Sequence, residues 1–262
     1  MILAVDVGNS NTTVGLFNGT GELLFRALLE TSRSKTRDQC AIELLGVFQL
    51  YGADACTVDG AILSSVVPPL TTIFTDAIAR LTGIPPMVVG PGIRTGLNIK
   101  AEIHNQLGSD IVASSVAAIA KYPSPIVMVD MGTATSLSLI VGSVYEGCII
   151  MPGLALALDA LLERAAALPP ISIETASPVG LMGHTTEEAM RSGVLYGHAS
   201  MVDGMLERIE ESIGQSVTTV ATGGNAPRIL RYCKRPIQYD ADLIMTGLYL
   251  LYQKNAKKYR KA

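Results

Sequence analysis

The sequence has few cysteines, and none of them form a compact redox or metal motif. Its four cysteines, Cys40, Cys56, Cys148 and Cys233, are far apart, and no C-x-x-C pair occurs. The three histidines show no H-E-x-x-H or similar spacing. This pattern favours reduced thiols in a cytosolic protein over a disulfide framework or a zinc site.

An excess of positive charge and a long apolar run are also missing. The formal net charge of −3 argues against a nucleic-acid-binding protein, which needs a basic face to meet phosphates. No run of ~18 uninterrupted apolar residues occurs, so we expect no membrane span. The N-terminus shows no basic segment followed by a long apolar stretch, so we expect no signal peptide and a cytoplasmic location.

Apolar residues, in contrast, are abundant. They make up 48% of the chain, whereas charged residues make up 16%. Such a chain can bury a large core, and disorder is not expected. Its 262 residues suffice for two domains of ordinary size.

An internal repeat divides the chain near its middle. An apolar strand ends in Asp-x-Gly at Asp6 and again at Asp130, and each copy is followed by small hydroxylated residues and a second apolar strand. Each half later contains another buried strand that ends in small residues, at Ser64-Ser65 and at 222–224. Two elements that recur in the same order predict a duplicated α/β fold, which we divide into domains 1–115 and 116–262.

Several helices are predicted from the spacing of apolar residues. They cover 38–50, 70–82, 109–121, 154–168, 186–213 and 240–258. Gly214 is the expected C-cap of the longest. The 154–168 helix is apolar on most sides and therefore requires burial all round, either inside a domain or at a two-fold interface.

These motifs together resemble those of the type III pantothenate kinases, a family of the acetate/sugar kinase, Hsp70 and actin superfamily. In chain order the motifs are Asp6-Val7-Gly8-Asn9-Ser10-Asn11-Thr12, Gly108-Ser109-Asp110, Asp130-Met131-Gly132-Thr133-Ala134-Thr135, the stretch from Gly183 to Gly193, and Ala221-Thr222-Gly223-Gly224. The resemblance spans nearly the whole chain. It implies two ribonuclease-H-like (actin-like ATPase) domains with an interdomain cleft, a homodimer, and ATP-dependent phosphorylation of pantothenate, the first step of coenzyme A synthesis.

The turn after Asp6 is chemically suited to a triphosphate. Gly8 lets the backbone approach phosphate oxygens, and neighbouring N–H and hydroxyl groups can donate to them. Asp6 would repel phosphate, so its expected role is to hold a hydrated Mg²⁺. The alternative is a hairpin whose turn merely uses glycine and asparagine. The predicted ATP-binding residues are Asp6, Val7, Gly8, Asn9, Ser10, Asn11, Thr12, Thr13, Thr133, Gly223 and Gly224.

The second Asp-x-Gly motif, at Asp130, is expected to contact the nucleotide from the opposite side. The resemblance implies that Asp130 binds a monovalent cation, K⁺ or NH₄⁺, and that Thr133 touches ATP. Carboxylate and carbonyl oxygens suit a hard cation, although Asp130 could also be a turn cap. Gly223 and Gly224 permit close approach of a flat ring or sugar, or else form an ordinary strand-to-helix turn.

Asp110 is the candidate general base. It follows a glycine-bearing loop at a helix start, and an alcohol needs a proton acceptor to become a good nucleophile. The alternative is that Ser109 and Asp110 only start the helix. The predicted substrate-binding residues are Ala101, Gly108, Ser109, Asp110, Ile111 and, from the neighbouring subunit of the implied homodimer, Thr186.

The alcohol-binding side departs from the family pattern, whereas the nucleotide and cation motifs are kept. Ile111 stands where the family usually has a substrate-touching arginine, Ala101 where it has a tyrosine, and His104 where it has a proline. Ser138 and Gly147-Cys148 are further departures. Pantothenate is the favoured substrate, but a kinase for another small alcohol and a nucleotide-binding regulatory paralogue stay open.

Overall fold

The computed structural model describes residues 1–99, 107–165, 167–173 and 179–259. The chain forms two compact units. Unit 1 comprises Met1–Lys121 and the C-terminal segment from Asp242, and unit 2 comprises Tyr122–Ala241.

Unit 1 is built on a five-stranded sheet. Its strands are β1 (Ile2–Val7), β2 (Asn11–Phe17), β3 (Leu23–Glu30), β4 (Gly60–Ser65) and β5 (Met87–Val88). They lie in the order β3-β2-β1-β4-β5. β1, β2 and β3 pair antiparallel, whereas β4 joins β1 and β5 joins β4 in parallel. Every residue of β1 is buried, as expected for an apolar central strand that is covered on both faces.

Helices cover both faces of this sheet. The first three are α1 (Arg37–Leu50), α2 (Pro68–Thr82) and α3 (Ser109–Lys121), with a short 3₁₀ turn at Ala55–Thr57 and a two-residue strand β6 (Asn98–Ile99) between them. α1 and α2 pack on the face that carries Leu3 and Val5 of β1. α3 packs on the opposite face, against Ile2 and Ala4. The alternation of side chains along β1 thus builds two cores from one strand.

Unit 2 repeats this sheet arrangement. Its strands are β7 (Ile126–Met131), β8 (Ala134–Val141), β9 (Val144–Pro152), β10 (Thr218–Thr222) and β11 (Gln238–Tyr239), in the order β11-β10-β7-β8-β9. β7, β8 and β9 pair antiparallel, and β10 and β11 extend the sheet in parallel from β7. The duplicated α/β fold predicted from the repeat is therefore confirmed, although β9 and β11 were not predicted.

The described part of unit 2 contains three helices: α4 (Leu154–Arg164), α5 (Thr186–Ile213) and α6 (Ala226–Leu230). α5 begins with a capping box between Thr185 and Glu188. It ends at Gly214, whose φ of 67° is the left-handed geometry predicted for its C-cap.

The prediction for α4 needs correction. The helix ends at Arg164 and not at residue 168, and it is not buried all round within one chain. Leu154 and Leu158 are buried, whereas Leu156 is 49% exposed and Leu161 is 39% exposed. Unit 2 therefore covers the helix face at Leu154 and Leu158, whereas Leu156 on another side of the helix and Leu161, seven residues after Leu154, are left open to solvent.

The last helix, α7 (Leu243–Tyr259), returns to unit 1. Gly247 of α7 lies so close to the backbone of Ala113 in α3 that no side chain would fit between the two helices. This division differs from the predicted one, because residue 115 lies inside α3 and α7 was assigned to the second domain. Among the helices that the structure describes, none is both long and apolar enough to cross a membrane.

Candidate active site

The first group of candidate residues lies where β1 and β4 end. In the parallel pairing of these strands, Asp6 is opposite Ser64 and Val7 is opposite Ser65. Residues opposite each other on neighbouring strands share a face of the sheet, so the Asp6 carboxylate and the Ser64 hydroxyl do so. Both side chains are buried. A buried carboxylate beside a hydroxyl, at the carboxyl end of parallel strands, is a donor set that suits a hydrated Mg²⁺.

The turn after Asp6 depends on glycine. The Gly8 N–H donates to the carbonyl oxygen of Asn11 at 3.0 Å, and a Cβ atom on Gly8 would lie 2.9 Å from that oxygen. Asn9, Ser10 and Asn11 are exposed at the tip. The turn therefore presents polar groups on a backbone that no side chain obstructs, as phosphate binding requires.

The two threonines that follow have different surroundings. Thr12 is buried, and its hydroxyl lies 2.8 Å from the hydroxyl of Thr31. Thr13 is half-buried and lies opposite Asp6 in the antiparallel pairing of β1 and β2. Thr12 thus supports the turn from within the sheet, whereas Thr13 is the threonine closer to the Asp6 position.

Asp110 lies in the first turn of α3. Burial raises the pKa of its carboxyl group, and the backbone N–H of Ile111, which donates to Oδ1 at 2.7 Å, works against that rise. Gly108 is needed beside it, because a Cβ atom at that position would collide with the Asp110 carboxylate. A half-buried carboxylate with a raised pKa binds a proton more readily than an ordinary aspartate, which suits a general base.

Ser109, predicted to bind substrate, is directed at β4. Its Oγ lies 2.9 Å from the Ser64 hydroxyl, accepts from the backbone N–H of Ser65 at 3.1 Å and donates to the Ser65 carbonyl at 3.2 Å. The start of α3 is therefore fastened to the end of β4. Ser64 was not among the sequence-based candidates, although its place at the end of a buried strand was a usable signal.

The second group of residues lies at the end of β7 in unit 2. Asp130 is opposite Thr222 of β10 in their parallel pairing. Gly223 has a φ of 91°, and a Cβ atom there would lie 2.7 Å from Asp130 Oδ1 and 2.6 Å from the Met131 carbonyl oxygen. Glycine is therefore required at residue 223 for its backbone to pack this closely against Met131 and the Asp130 carboxylate. The carboxylate and carbonyl oxygens that meet here are donor types that suit a hard monovalent cation.

The Thr133 turn is held by backbone contacts. The Gly132 N–H donates to the Ala134 carbonyl at 3.0 Å, and the Asn225 side-chain amide donates to the Gly132 carbonyl at 3.2 Å. The Gly153 N–H donates to the Thr133 carbonyl at 3.2 Å, and a side chain on Gly153 would strike that turn. Sequence reasoning missed Gly153, because its contact partner is distant in sequence and no local motif marks it.

Unit 2 also contains an apolar cavity of ≈ 570 Å³ between α4 and α5. Thr186, the first residue of α5, is exposed at this cavity, and His198 also lines it. The His198 Nε2 lies 2.9 Å from the Thr135 hydroxyl, and burial lowers the pKa of this histidine, so the ring is neutral near pH 7. The cavity is therefore an uncharged apolar surface with one exposed hydroxyl at its edge.

Two further points concern residues predicted for the site. Ala101 and His104 lie outside the described residues. In the part of the chain that the structure describes, no three or more His, Cys, Asp or Glu side chains cluster as metal ligands. A single carboxylate such as Asp6 leaves coordination positions for phosphate oxygens and water, as Mg²⁺ in nucleotide sites prefers.

Comparison with known proteins gives matches over nearly the full chain. The family described as Type III pantothenate kinase matches residues 2–208. The type III pantothenate kinase of Exiguobacterium sp. (strain ATCC BAA-1283 / AT1b) is 39% identical over 258 residues, which cover 98% of this chain and 100% of that protein. That of Geobacillus thermodenitrificans (strain NG80-2) is 39% identical over 259 residues, which cover 98% and 99%.

A solved structure shows the same fold at lower identity. A conserved putative Baf family transcriptional activator from Campylobacter jejuni superposes with a TM-score of 0.61 at 18% identity, over 97% of this chain and 99% of the other. This likeness supports the fold alone, whereas the relatives of 39% identity and the family match decide membership. The chain therefore belongs to the type III pantothenate kinase family.

Proposed function

We propose that the chain phosphorylates pantothenate with ATP, forming 4′-phosphopantothenate at the first step of coenzyme A synthesis in the cytoplasm. Membership of the family over the whole chain carries this proposal. The repeated Asp-x-Gly turns support it independently, because in each unit a carboxylate is the second-last residue of the central strand and a glycine turn follows the strand. A kinase needs such groups to hold a triphosphate and its cations.

Each unit offers a glycine turn for phosphate contacts in this proposal. In unit 1, backbone N–H groups and hydroxyls of the exposed residues 9–11 and of Thr13 donate to phosphate oxygens, whereas the Gly8 N–H and the Thr12 hydroxyl make the turn's own contacts, with Asn11 and Thr31. In unit 2, Thr133 does the same, and Gly224, where a Cβ atom would meet no other atom within 4 Å, lies along the nucleotide. Asp6 holds Mg²⁺ through water, and Asp130 holds K⁺ or NH₄⁺. These cations neutralise the charge of the phosphates when they are bound.

Asp110 acts on the alcohol. Its carboxylate accepts the proton of the pantothenate hydroxyl as the hydroxyl oxygen bonds to the γ-phosphorus. The bond between the γ-phosphorus and the β–γ bridging oxygen breaks, and ADP leaves with the electron pair. The buried position of Asp110 and its raised pKa support this role, because a stronger base accepts the proton more readily.

The residues predicted to bind the alcohol substrate match the family pattern less well than the residues predicted to bind the nucleotide. Ile111 has an aliphatic side chain where the family usually has a substrate-touching arginine, and its backbone N–H donates to Asp110 and not to a substrate. Loss of a charged hydrogen-bonding partner typically costs about 1.5–3 kcal/mol, which weakens substrate affinity by roughly one to two decades unless another group compensates. A kinase for another small alcohol is therefore the second candidate. ATP consumption with pantothenate and with a panel of small alcohols separates the two.

A homodimer is the proposed assembly, and α4 and α5 form its interface. Two observations within one chain support it. α4 leaves Leu156 and Leu161 exposed, and the neighbouring cavity is lined by apolar side chains. A Cβ atom on Gly193 or Gly197 of α5 would meet no other atom within 4 Å, which leaves room for a partner helix. Thr186, exposed beside them, would then contribute to the partner's substrate site.

The decisive test of the catalytic assignment is Asp110→Asn. We expect kcat to fall by about 10²-fold or more, the usual size of a general-base contribution, while the Kd of ATP stays unchanged. Asp76→Asn, the same substitution at an exposed position of α2, is the control and should behave as wild type. Undiminished turnover in Asp110→Asn would reduce Asp110 to a helix-start residue.

A further inference from the structure

The hydroxyl of Ser109 has no hydrogen-bonding capacity left for a ligand. A serine hydroxyl offers one donor and two acceptor positions. One acceptor position of Ser109 is used by the Ser65 N–H; when the Ser109 proton is donated to the Ser65 carbonyl oxygen, the other acceptor position is used by the Ser64 hydroxyl. A substrate atom could bind Ser109 only by displacing one of these partners.

The three contacts join specific points of unit 1. They link the first residue of α3 to the last two residues of β4, whose register with β1 places Ser64 opposite Asp6 and Ser65 opposite Val7. Asp110 directly follows Ser109 in the chain. The Ser109 side chain therefore helps to fix the Asp110 carboxylate relative to the end of β1, at the start of a helix whose later residues Ala113 and Val116 pack in the core with β1.

The rest of the helix start gives little additional support. The Val112 N–H donates to the Gly108 carbonyl at 3.1 Å, which is an ordinary first helical hydrogen bond. Asp110 also accepts a hydrogen bond from the Ile111 N–H, but both residues belong to α3, so this bond does not tie the helix to the sheet. Ser109 is thus the side chain that connects the start of α3 to the sheet.

We propose that Ser109 is a positioning residue for the kinase reaction, which holds Asp110 in place through its hydroxyl contacts with Ser64 and Ser65 and does not bind the substrate. This inference rests on the proposed role of Asp110 as the base. A misplacement of about 1 Å in a catalytic group can cost on the order of 10²-fold in rate. The effect of losing the Ser109 hydroxyl should therefore appear in kcat, whereas KM should change little.

The test compares Ser109→Ala, Ser109→Thr and Ser64→Ala in steady-state kinetics with ATP and pantothenate. We expect Ser109→Ala to lower kcat about 10- to 100-fold with the KM for pantothenate within about twofold of wild type. Ser109→Thr keeps the hydroxyl and should recover most of the lost kcat. Ser64→Ala removes one of the three contacts and should give an intermediate loss.

Ser115→Ala is the matched control. Ser115 is a fully buried serine of the same helix, and its hydroxyl is without a hydrogen-bond partner among the described residues, so its loss should leave kcat unchanged. The double variant Ser64→Ala/Ser109→Ala should be no slower than Ser109→Ala, because both changes break one connection. If Ser109→Ala does not fold, Ser64→Ala and Ser109→Thr decide the question.

Three results would overturn the inference. The first is a wild-type kcat in Ser109→Ala, or in Ser64→Ala if Ser109→Ala does not fold. The second is a rise in the KM for pantothenate in Ser109→Ala at constant kcat, which would make Ser109 a substrate contact. The third is failure of Ser109→Thr to recover activity. Measuring Asp110→Asn in parallel tests separately the proposal that Asp110 is the base. Full activity in that variant refutes Asp110 as the base, whereas its inactivity together with a fully active Ser109→Ala refutes only the positioning role.

Discussion

The raised pKa of Asp110 has a consequence for the pH dependence of turnover. A general base works only when it is ionised, so kcat falls as the pH drops through its pKa. Burial raises that pKa, and the acidic limb of the kcat profile should therefore lie above the value of about 4 that an ordinary aspartate would give. Measuring kcat from about pH 4 to 9 checks this. A limb at the ordinary aspartate value, or one that persists in Asp110→Asn, would contradict the assignment.

A side chain would have different effects at the neighbouring glycines Gly223 and Gly224, so substitutions at the two positions make a matched pair. Gly224→Ala meets no atom within 4 Å, so the folded chain should tolerate it, but the added methyl group would lie against the nucleotide. We expect unchanged unfolding free energy and about tenfold weaker ATP binding, measured by denaturant unfolding and by calorimetry.

Gly223→Ala is the contrasting variant. It combines a φ of 91° with contacts of 2.6 Å to the Met131 backbone, so it should destabilise the chain with or without ATP. Wild-type ATP affinity in Gly224→Ala would show that the nucleotide does not pass close to this turn.

At the residue scale, the sequence predicted where Asp6 and Asp130 lie, whereas their roles stay predictions. Both are the second-last residues of equivalent strands, and each strand is followed by a glycine turn closed by a backbone hydrogen bond of 3.0 Å. The anchoring role of Ser109 could not be predicted. It depends on Ser64 and Ser65, which are distant in sequence and are brought close only by packing of α3 on β4.

At the scale of secondary-structure elements, the close contact of α3 and α7 is the strictest packing constraint in unit 1. Gly247→Ala would drive a methyl group into the backbone of Ala113, which cannot move as a side chain could. We expect it to lower the unfolding free energy by about 1–3 kcal/mol or more, measured by urea unfolding.

Gly204→Ala in α5 is the control for that experiment. The added methyl group would have no other atom within 4 Å, so the helix should gain up to about 1 kcal/mol from the better helix former. Equal stability of the two variants would mean that α3 and α7 are not packed as closely as their backbones indicate.

The elements that the sequence predicted well carry strong local signals. α2 covers Pro68–Thr82, two residues longer at its start than the predicted 70–82, and α5 has the predicted C-cap at Gly214. β11 has two residues, which is too short for any periodicity to show. The return of α7 to unit 1 was also beyond sequence reasoning, because an apolar helix face fits either core. Its place follows from contacts that appear only in the fold, such as the fit of Gly247 against Ala113 and the hydrogen bonds of Asn255 with the Arg94 backbone.

At the scale of the whole molecule, the incomplete burial of α4 is the feature that a single chain leaves unexplained. Leu156 and Leu161 are exposed beside an apolar cavity of ≈ 570 Å³, next to which Thr186 is also exposed. A two-fold dimer brings the same patch of each protomer against its copy and buries both. Under the proposed function, each site then combines Asp110 of one protomer with Thr186 of its partner.

Mixing two inactive variants tests this shared site. A dimer formed from Asp110→Asn and Thr186→Ala protomers has one site with both defects and one with none, because the intact Asp110 and the intact Thr186 come from different protomers. Random exchange should therefore restore about a quarter of wild-type activity, since half of the dimers are mixed and each has one working site. The control mixes Asp110→Asn with the double variant Asp110→Asn/Thr186→Ala, a pair that cannot form an intact site. Subunit exchange is first verified by sedimentation or mass analysis. Equal activity in the two mixtures would then refute the shared site, and so would full wild-type activity in a strictly monomeric species.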